Sequence, residues 1–127
     1  MLKAQRRLIL VDSVTEAASA GATTLIICGS HGGISSGRYA IRAAPGAVVF
    51  NDAGVGKDDA GIKALAILQD AGIAGCAVSH TSARIGEARS TLDEGVLSYV
   101  NAAALAAGGQ PGMTCRDWAT HWLSLEA

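Results

Sequence analysis

Three short apolar segments of this chain each lead into a polar residue that can exchange a proton. These residues are two imidazoles and a carboxylate: His31, His80 and Asp52. If the segments are strands of an open parallel sheet, their carboxyl ends form the edge where ligands bind. A histidine exchanges protons near neutral pH, and a carboxylate can act as a base or orient a histidine. The pattern therefore predicts catalytic roles for His31, Asp52 and His80.

Glycine-rich turns follow the first two segments, and such turns favour the binding of an anion. Their backbone N–H groups, together with the positive end of a following helix, can hold a carboxylate or a phosphate. Lys57 adds a full positive charge, and Arg84 can bind a carboxylate through two parallel hydrogen bonds. The predicted ligand-binding residues are Ser30, Gly32, Gly33, Asn51, Gly54, Gly56, Lys57, Ser82 and Arg84.

Other reactions are less well supported by the residue pattern. Ser30 could act as a nucleophile, but no G-x-S-x-G turn surrounds it. Cys28 could attack a substrate with the help of Asp52 and Lys57 if it faced the cleft. The segment before Lys57 is not a P-loop, because Asn51 stands where the first glycine of that motif is expected. The histidines lack the HxH and HExxH spacings of metal sites, so we expect no metal and no cofactor.

The composition excludes several classes of function. The chain has 127 residues and a formal net charge of -1, so it has no basic excess with which to bind nucleic acid. No apolar run approaches the roughly 18 residues that cross a membrane, and residues 8–11 are too short for a signal-peptide core. The three cysteines form no CxxC pair, which favours reduced thiols. We therefore expect a cytoplasmic protein that binds neither nucleic acid nor membrane.

Apolar β-branched segments alternate with segments of helical pattern along the chain. The predicted strands are 8–11, 24–28, 47–50 and 74–78. Predicted helices follow a capping box at 13–16 and run over 35–44, from Asp58 or Asp59 to 71, from 91 to 107 and from 114 to 125. This alternation predicts parallel βαβ units. We expect one α/β domain over 1–127, a small three-layer sandwich with a mostly parallel sheet of about four strands, Rossmann-like or flavodoxin-like.

The last predicted helix places Trp118, Trp122 and Leu125 on one apolar face. That face could pack on the sheet or meet a partner subunit. Because a sheet of about four strands covers little of its own core, we expect a homo-oligomer.

These patterns support one leading function and two alternatives. The leading hypothesis is a small cytoplasmic enzyme, a hydrolase, lyase or isomerase, that performs acid–base chemistry on a small anionic metabolite at the strand ends. A non-catalytic ligand-binding or regulatory module would use the same glycine turns but would tolerate loss of the histidines. An interaction subunit would instead use the helix that carries Trp118 and Trp122 as its anchor.

Overall fold

The sheet has five strands within residues 5–126, which are the residues that the computed structural model describes. The strands are β1 (Arg7–Val11), β2 (Thr24–His31), β3 (Ala47–Asn51), β4 (Ala74–Val78) and β5 (Leu97–Val100). The helices are α1 (Ile34–Ala43), α2 (Lys63–Asp70), α3 (Ala88–Glu94), α4 (Ala102–Ala106) and α5 (Cys115–Ser124). Strands β1 to β4 are parallel, and β5 is antiparallel to β4.

Helices cover both faces of the sheet. The chain crosses from β1 to β4 without turning back, so right-handed crossovers place all three connections on one face. There, Val14 and the apolar sides of α1 and α2 pack against β2 and β3 around Phe50. The C-terminal part of the chain must therefore cover the other face. It does so with α3, α4 and α5, whose Trp118 and Trp122 join a second core cluster.

The strand order departs from the Rossmann-like or flavodoxin-like arrangement that was expected. Those sheets reverse direction part of the way across, in the orders 3-2-1-4-5-6 or 2-1-3-4-5. Here the order is β1-β2-β3-β4-β5, so the parallel strands contain no reversal. The sheet also has five strands where about four were predicted. A binding site at this edge therefore depends on the side chains at the strand ends and not on a topological switch point.

The predicted helix over 91–107 is wrong, because a strand interrupts it. Helix α3 ends before Gly95, where a Cβ atom would clash with the carbonyl oxygen of Thr91 and lie 2.6 Å from Val78 Cγ1. The chain then forms β5. Helix α4 begins after Asn101, whose side chain accepts a hydrogen bond from Ala104 N–H. This extra strand brings Ser98 close to the ends of β3 and β4.

Other helix boundaries differ from the predicted ones because of the local backbone conformation. The capping box at Ser13 is confirmed, but it opens only a single turn, Val14–Glu16. Helix α2 begins at Lys63 and not at Asp58 or Asp59, since both aspartates have a φ of 57°, outside the right-handed helical region. Gly72 follows that helix with a φ of 73°, in the left-handed region that glycine favours.

The C-terminal helix forms where it was predicted, with Thr114 as its cap. Trp118 is 0 % exposed and Trp122 is 3 % exposed. Both indoles pack on the sheet and belong to its core. No helix within residues 5–126 is long and apolar enough to cross a membrane.

Candidate active site

The carboxylate of Asp52 connects three parts of the chain at the strand ends. Asp52 directly follows β3 and is 4 % exposed. Its Oδ1 accepts hydrogen bonds from the backbone N–H groups of Gly54 at 2.8 Å and His80 at 3.0 Å. Its Oδ2 accepts a hydrogen bond from Ser98 Oγ at 2.7 Å. The carboxylate thus fixes its own turn, the segment after β4 and strand β5 relative to one another.

Opposing effects act on the pKa of Asp52. Burial raises this pKa, because the charged form loses contact with water. The hydrogen bonds from Ser98, Gly54 and His80 lower it, and so does the charge that His80 can carry. The lowering effects are larger in sum, and the pKa of Asp52 lies below its ordinary value of 3.8. Asp52 is therefore a carboxylate at neutral pH.

The imidazole of His80 lies beside this buried carboxylate and faces solvent on its other side. The distance from His80 Nδ1 to Asp52 Oδ1 is 3.5 Å, and the His80 side chain is 51 % exposed. This distance exceeds that of an ordinary hydrogen bond, as is common for catalytic pairs before a substrate binds. A Cβ atom on Gly54 would lie 3.4 Å from His80 Cε1, an ordinary contact distance, so the ring lies directly beside this turn. His80 therefore has one nitrogen beside a base and the other available to a ligand.

A cavity of about 430 Å³ opens next to His80. The segment after β4 supplies most of its wall, and helix α3 closes it with Ser90 and Glu94. Arg84 lines this cavity, with a side chain that is 77 % exposed and 4.0 Å from Glu87. An ion pair this long and this exposed contributes little, so the guanidinium is available to an anion. Ile85, which is 55 % exposed, adds an apolar surface.

The turn after Asp52 is tightly constrained but does not offer the free N–H groups that were predicted. Gly54 N–H donates to Asp52 Oδ1 and Gly56 N–H donates to the Gly54 carbonyl. Val55, a β-branched residue, has a φ of 66°, which is a strained conformation of the kind found near functional sites. Gly54 and Gly56 therefore shape the turn, and their N–H groups are not available to hold an anion.

His31 lies on the same edge of the sheet but apart from the Asp52–His80 pair. In the ladder, His31 is opposite Asn51, and Asn51 is opposite Val78, so two strand spacings of roughly 5 Å separate the strands of the two histidines. The His31 ring packs against Gly33, before the start of α1, while Gly32 N–H donates to the Asn51 carbonyl. Within residues 5–126, no three His, Cys, Asp or Glu side chains are grouped so that they could hold a metal ion.

Three predicted ligand-binding side chains are instead bonded to the protein itself. Ser30 Oγ accepts a hydrogen bond from Val14 N–H at 2.9 Å. Asn51 is 0 % exposed, and its amide binds the Ala83 carbonyl and the Ala53 N–H. Ser82 Oγ donates to the Ser79 carbonyl and accepts from Val96 N–H. These polar side chains lie at or just beyond the ends of strands, where they fasten neighbouring segments of the chain.

The two positively charged side chains that are predicted to bind an anion lie in different surroundings. Arg84 lines the cavity beside His80, whereas Lys57 lies on an exposed turn and is not among the residues that line that cavity. The neighbours of Lys57 along this turn, Asp58 and Asp59, oppose its charge. Arg84 is therefore the stronger candidate for binding an anion near His80.

We expect the three cysteines of the folded protein to resist thiol reagents. Cys28, Cys76 and Cys115 are all buried, and burial raises the pKa of Cys28 and of Cys115 to about 12. Since the thiolate is the reactive form, a raised pKa and lack of access both oppose labelling. Mass spectrometry after treatment with an alkylating agent should show no label on the native protein and three labels after denaturation. Fast labelling of Cys28 in the native state would restore the cysteine-nucleophile alternative.

Ser98 is a site residue that the sequence patterns did not reveal. Its hydroxyl lies 2.7 Å from Asp52 Oδ2 and 3.2 Å from the Ala77 carbonyl. Ser98 lies in the interval from 91 to 107, for which the sequence pattern predicts one helix, and a helix there would not place Ser98 in the sheet beside Asp52. The β-branched and aromatic residues over 96–100, which follow Gly95, are the signal of a strand that could have exposed it.

The structure thus joins Asp52, His80 and Ser98 into one hydrogen-bonded group and places Arg84 across the adjoining cavity. His31 lies on the same edge of the sheet, two strands away from the strand that leads to His80. Lys57 does not line the cavity. Comparison with protein-family models, with curated protein sequences and with solved structures gave no match.

Proposed function

We propose that this chain is an enzyme that transfers a proton to or from a small anionic molecule, with His80 as the general acid or base. One observation supports this most directly: a half-exposed imidazole lies beside a buried carboxylate at the mouth of a cavity. Asp52 would orient the ring and stabilise its protonated form, as a carboxylate does for a catalytic histidine. The reaction would be a hydrolase, lyase or isomerase step without a redox cofactor.

Arg84 would bind the anionic group of the substrate. Its guanidinium can form two parallel hydrogen bonds with a carboxylate or a phosphate. His80 and Arg84 line the same cavity, so one small molecule can contact both side chains. Ser98 would act on the reaction through Asp52, as a positioning residue. His31, on the same edge of the sheet, is the candidate for a second proton-transfer group. The buried free thiols suit a reducing compartment, which supports a cytoplasmic location.

The first experiment is a thermal-shift screen of small carboxylates and phosphates, followed by a turnover assay with every compound that binds. A ligand that binds the folded state raises the melting temperature by mass action. We expect Arg84→Ala to remove the shift and Lys57→Ala to preserve it, because only Arg84 lines the cavity. We expect His80→Gln to keep the shift and to reduce turnover by about 100-fold or more.

The matched control is His121→Gln, the same substitution at a histidine on α5 whose ring packs against Gly108. It should change neither binding nor turnover. If His80→Gln and the unaltered protein turn over a bound ligand equally fast, His80 is not the catalytic group. If a ligand binds and no turnover occurs with either protein, the chain is a binding module and the proposed activity is wrong.

A further inference from the structure

The two edges of the sheet differ in how they are protected. The start of the outer edge of β5 is covered by the chain itself: Leu97 N–H donates to the Met113 carbonyl, Gly112 N–H donates to the Leu97 carbonyl, and Val96 forms a bridge with Thr114. At the opposite edge, no segment within residues 5–126 pairs with the outer side of β1. The β5 edge is therefore protected at its start, whereas the outer side of β1 is unpaired along its whole length within the described residues.

The open edge presents a regular set of backbone groups. Arg7 N–H donates to the Thr23 carbonyl, so Arg7, Ile9 and Val11 direct their backbone groups toward β2. Leu8 and Leu10, between them, direct their N–H and C=O groups outward. The strand has the sequence RLILV, with no proline or lysine, and its register with β2 shows no bulge. An apolar edge without these protective features is a template for another strand.

We propose that a second copy of this chain pairs with β1 in antiparallel orientation, with Ile9 on the two-fold axis. In this register Leu8 of one copy faces Leu10 of the other, and each such pair exchanges two N–H···O=C bonds. The four hydrogen bonds use every outward backbone group of Leu8 and Leu10 on both chains. The result is a continuous ten-stranded sheet with a closed, two-fold symmetric interface. This inference does not rest on the proposed enzymatic function.

The charges at the two ends of β1 favour an antiparallel orientation and a second copy of the chain as the partner. Arg6 and Arg7 stand at the start of β1, and Asp12 directly follows its end. With Ile9 on the axis, Arg6 of each copy lies opposite Asp12 of the other, so opposite charges meet at both ends. They meet beside the contacts that each side chain makes in its own chain, Arg6 with the Trp122 ring and Asp12 with Ala88 N–H. A parallel pairing would bring like charges together at both ends, which is unfavourable. The strand is thus complementary to itself.

Pairing would also cover apolar surface on both sides of the sheet. Leu8 and Leu10 pack against the core cluster that contains the tryptophans, and Ile9 and Val11 pack against the opposite cluster. All four side chains are only half-buried in the single chain, whereas the residues of β3 and β4 are buried throughout. A second β1 would extend both core layers across the axis.

The test is the solution mass of the full chain together with a site-specific cross-link. We expect a mass of twice the 12.8 kDa of one chain at high concentration, falling on dilution. Ile9→Cys should form a disulfide-linked dimer under mild oxidation, because facing residues on the axis have Cα atoms about 4.5 Å apart, within disulfide range. Leu8→Cys is the matched control, since that position faces Leu10 and not itself. The native cysteines are buried and do not compete.

A second pair of variants covers the case in which the cysteine variant folds poorly. Ile9→Lys alone and Ile9→Glu alone should both be monomers, because like charges would face each other on the axis. An equimolar mixture should dimerise, because opposite charges then meet. A protein that is monomeric at every concentration overturns the proposal. So does a dimer that Ile9→Cys fails to cross-link, or a dimer that survives both charged substitutions.

Discussion

Replacing Asn101 by alanine is expected to lower the free energy of unfolding by about 4 kcal/mol. The side chain is buried and makes four hydrogen bonds. Its Oδ1 accepts from Gly75 N–H at 3.0 Å and from Ala104 N–H at 2.9 Å. Its Nδ2 donates to the Leu65 carbonyl at 3.1 Å and to the Ile73 carbonyl at 3.0 Å. Alanine would leave these backbone groups buried without partners.

Urea denaturation of the two proteins measures this effect. Gln69→Ala is the control, because Gln69 Oε1 accepts a single hydrogen bond, from Ala103 N–H at 2.7 Å, at the same helix α4. It should cost about 1 kcal/mol, the usual contribution of one partly exposed hydrogen bond. If Asn101→Ala costs no more than the control, Asn101 does not hold α2, β4 and α4 together in the way that its contacts indicate.

Replacing Asp52 by alanine should cost about 3 kcal/mol, whereas asparagine should cost considerably less. Alanine removes the acceptor for Gly54 N–H, His80 N–H and the Ser98 hydroxyl at one time. Asparagine keeps one acceptor oxygen and nearly the same volume. In asparagine the Nδ2 would face Ser98, whose hydroxyl can still donate to the Ala77 carbonyl. The difference in unfolding free energy between the two variants therefore measures the contribution of the hydrogen bonds. Comparison of the asparagine variant with the unaltered protein measures the contribution of the negative charge.

The charge of Asp52 should make stability depend on pH in the acid range. The pKa of Asp52 is lower in the folded protein than its ordinary value of 3.8, so the folded state favours the carboxylate. Its contribution to stability is complete above pH 3.8 and is lost as the pH falls through the lower folded pKa. Asp52→Asn lacks this contribution at every pH. The difference in unfolding free energy between the two proteins should thus shrink below about pH 4, and a constant difference would contradict the assignment.

Local sequence signals were sufficient for most of the parallel strands. The apolar runs that begin at Thr24, Ala47 and Ala74 form β2, β3 and β4, because a run of apolar residues suits a strand buried on both faces. Strand β5 is harder to recognise, although its β-branched and aromatic residues over 96–100 are typical of a strand. Its residues continue the apolar spacing of the preceding helix, and that helix ends at Gly95, whose backbone lies so close to Val78 that a Cβ atom there would be 2.6 Å from Val78 Cγ1. That contact is tertiary.

In the candidate site too, local sequence signals reveal some features and tertiary contacts determine the others. Polar residues at strand ends were recognisable, but periodicity along the chain does not encode which strands are neighbours. Asp52 meets His80 because β3 pairs with β4 in a register that continues past both strands, with Asp52 N–H donating to the Val78 carbonyl. The sequence predicts that the backbone N–H groups of the glycines after β3 donate hydrogen bonds to a ligand. Their N–H groups were already needed by the turn itself, which only the hydrogen-bonding partners reveal.

The order of the strands in the sheet has a consequence for biosynthesis. Every parallel strand pairs with the strand synthesised just before it, so each pairing closes only the loop of one crossover. The sheet can then grow by addition at one side as the polypeptide emerges from the ribosome, with no strand inserted between two earlier ones. Trp118 and Trp122, which cover the second face, follow all five strands along the chain, so they emerge after the strands that they cover. Until then, part of one apolar face of the nascent sheet is exposed, which favours aggregation of incomplete chains.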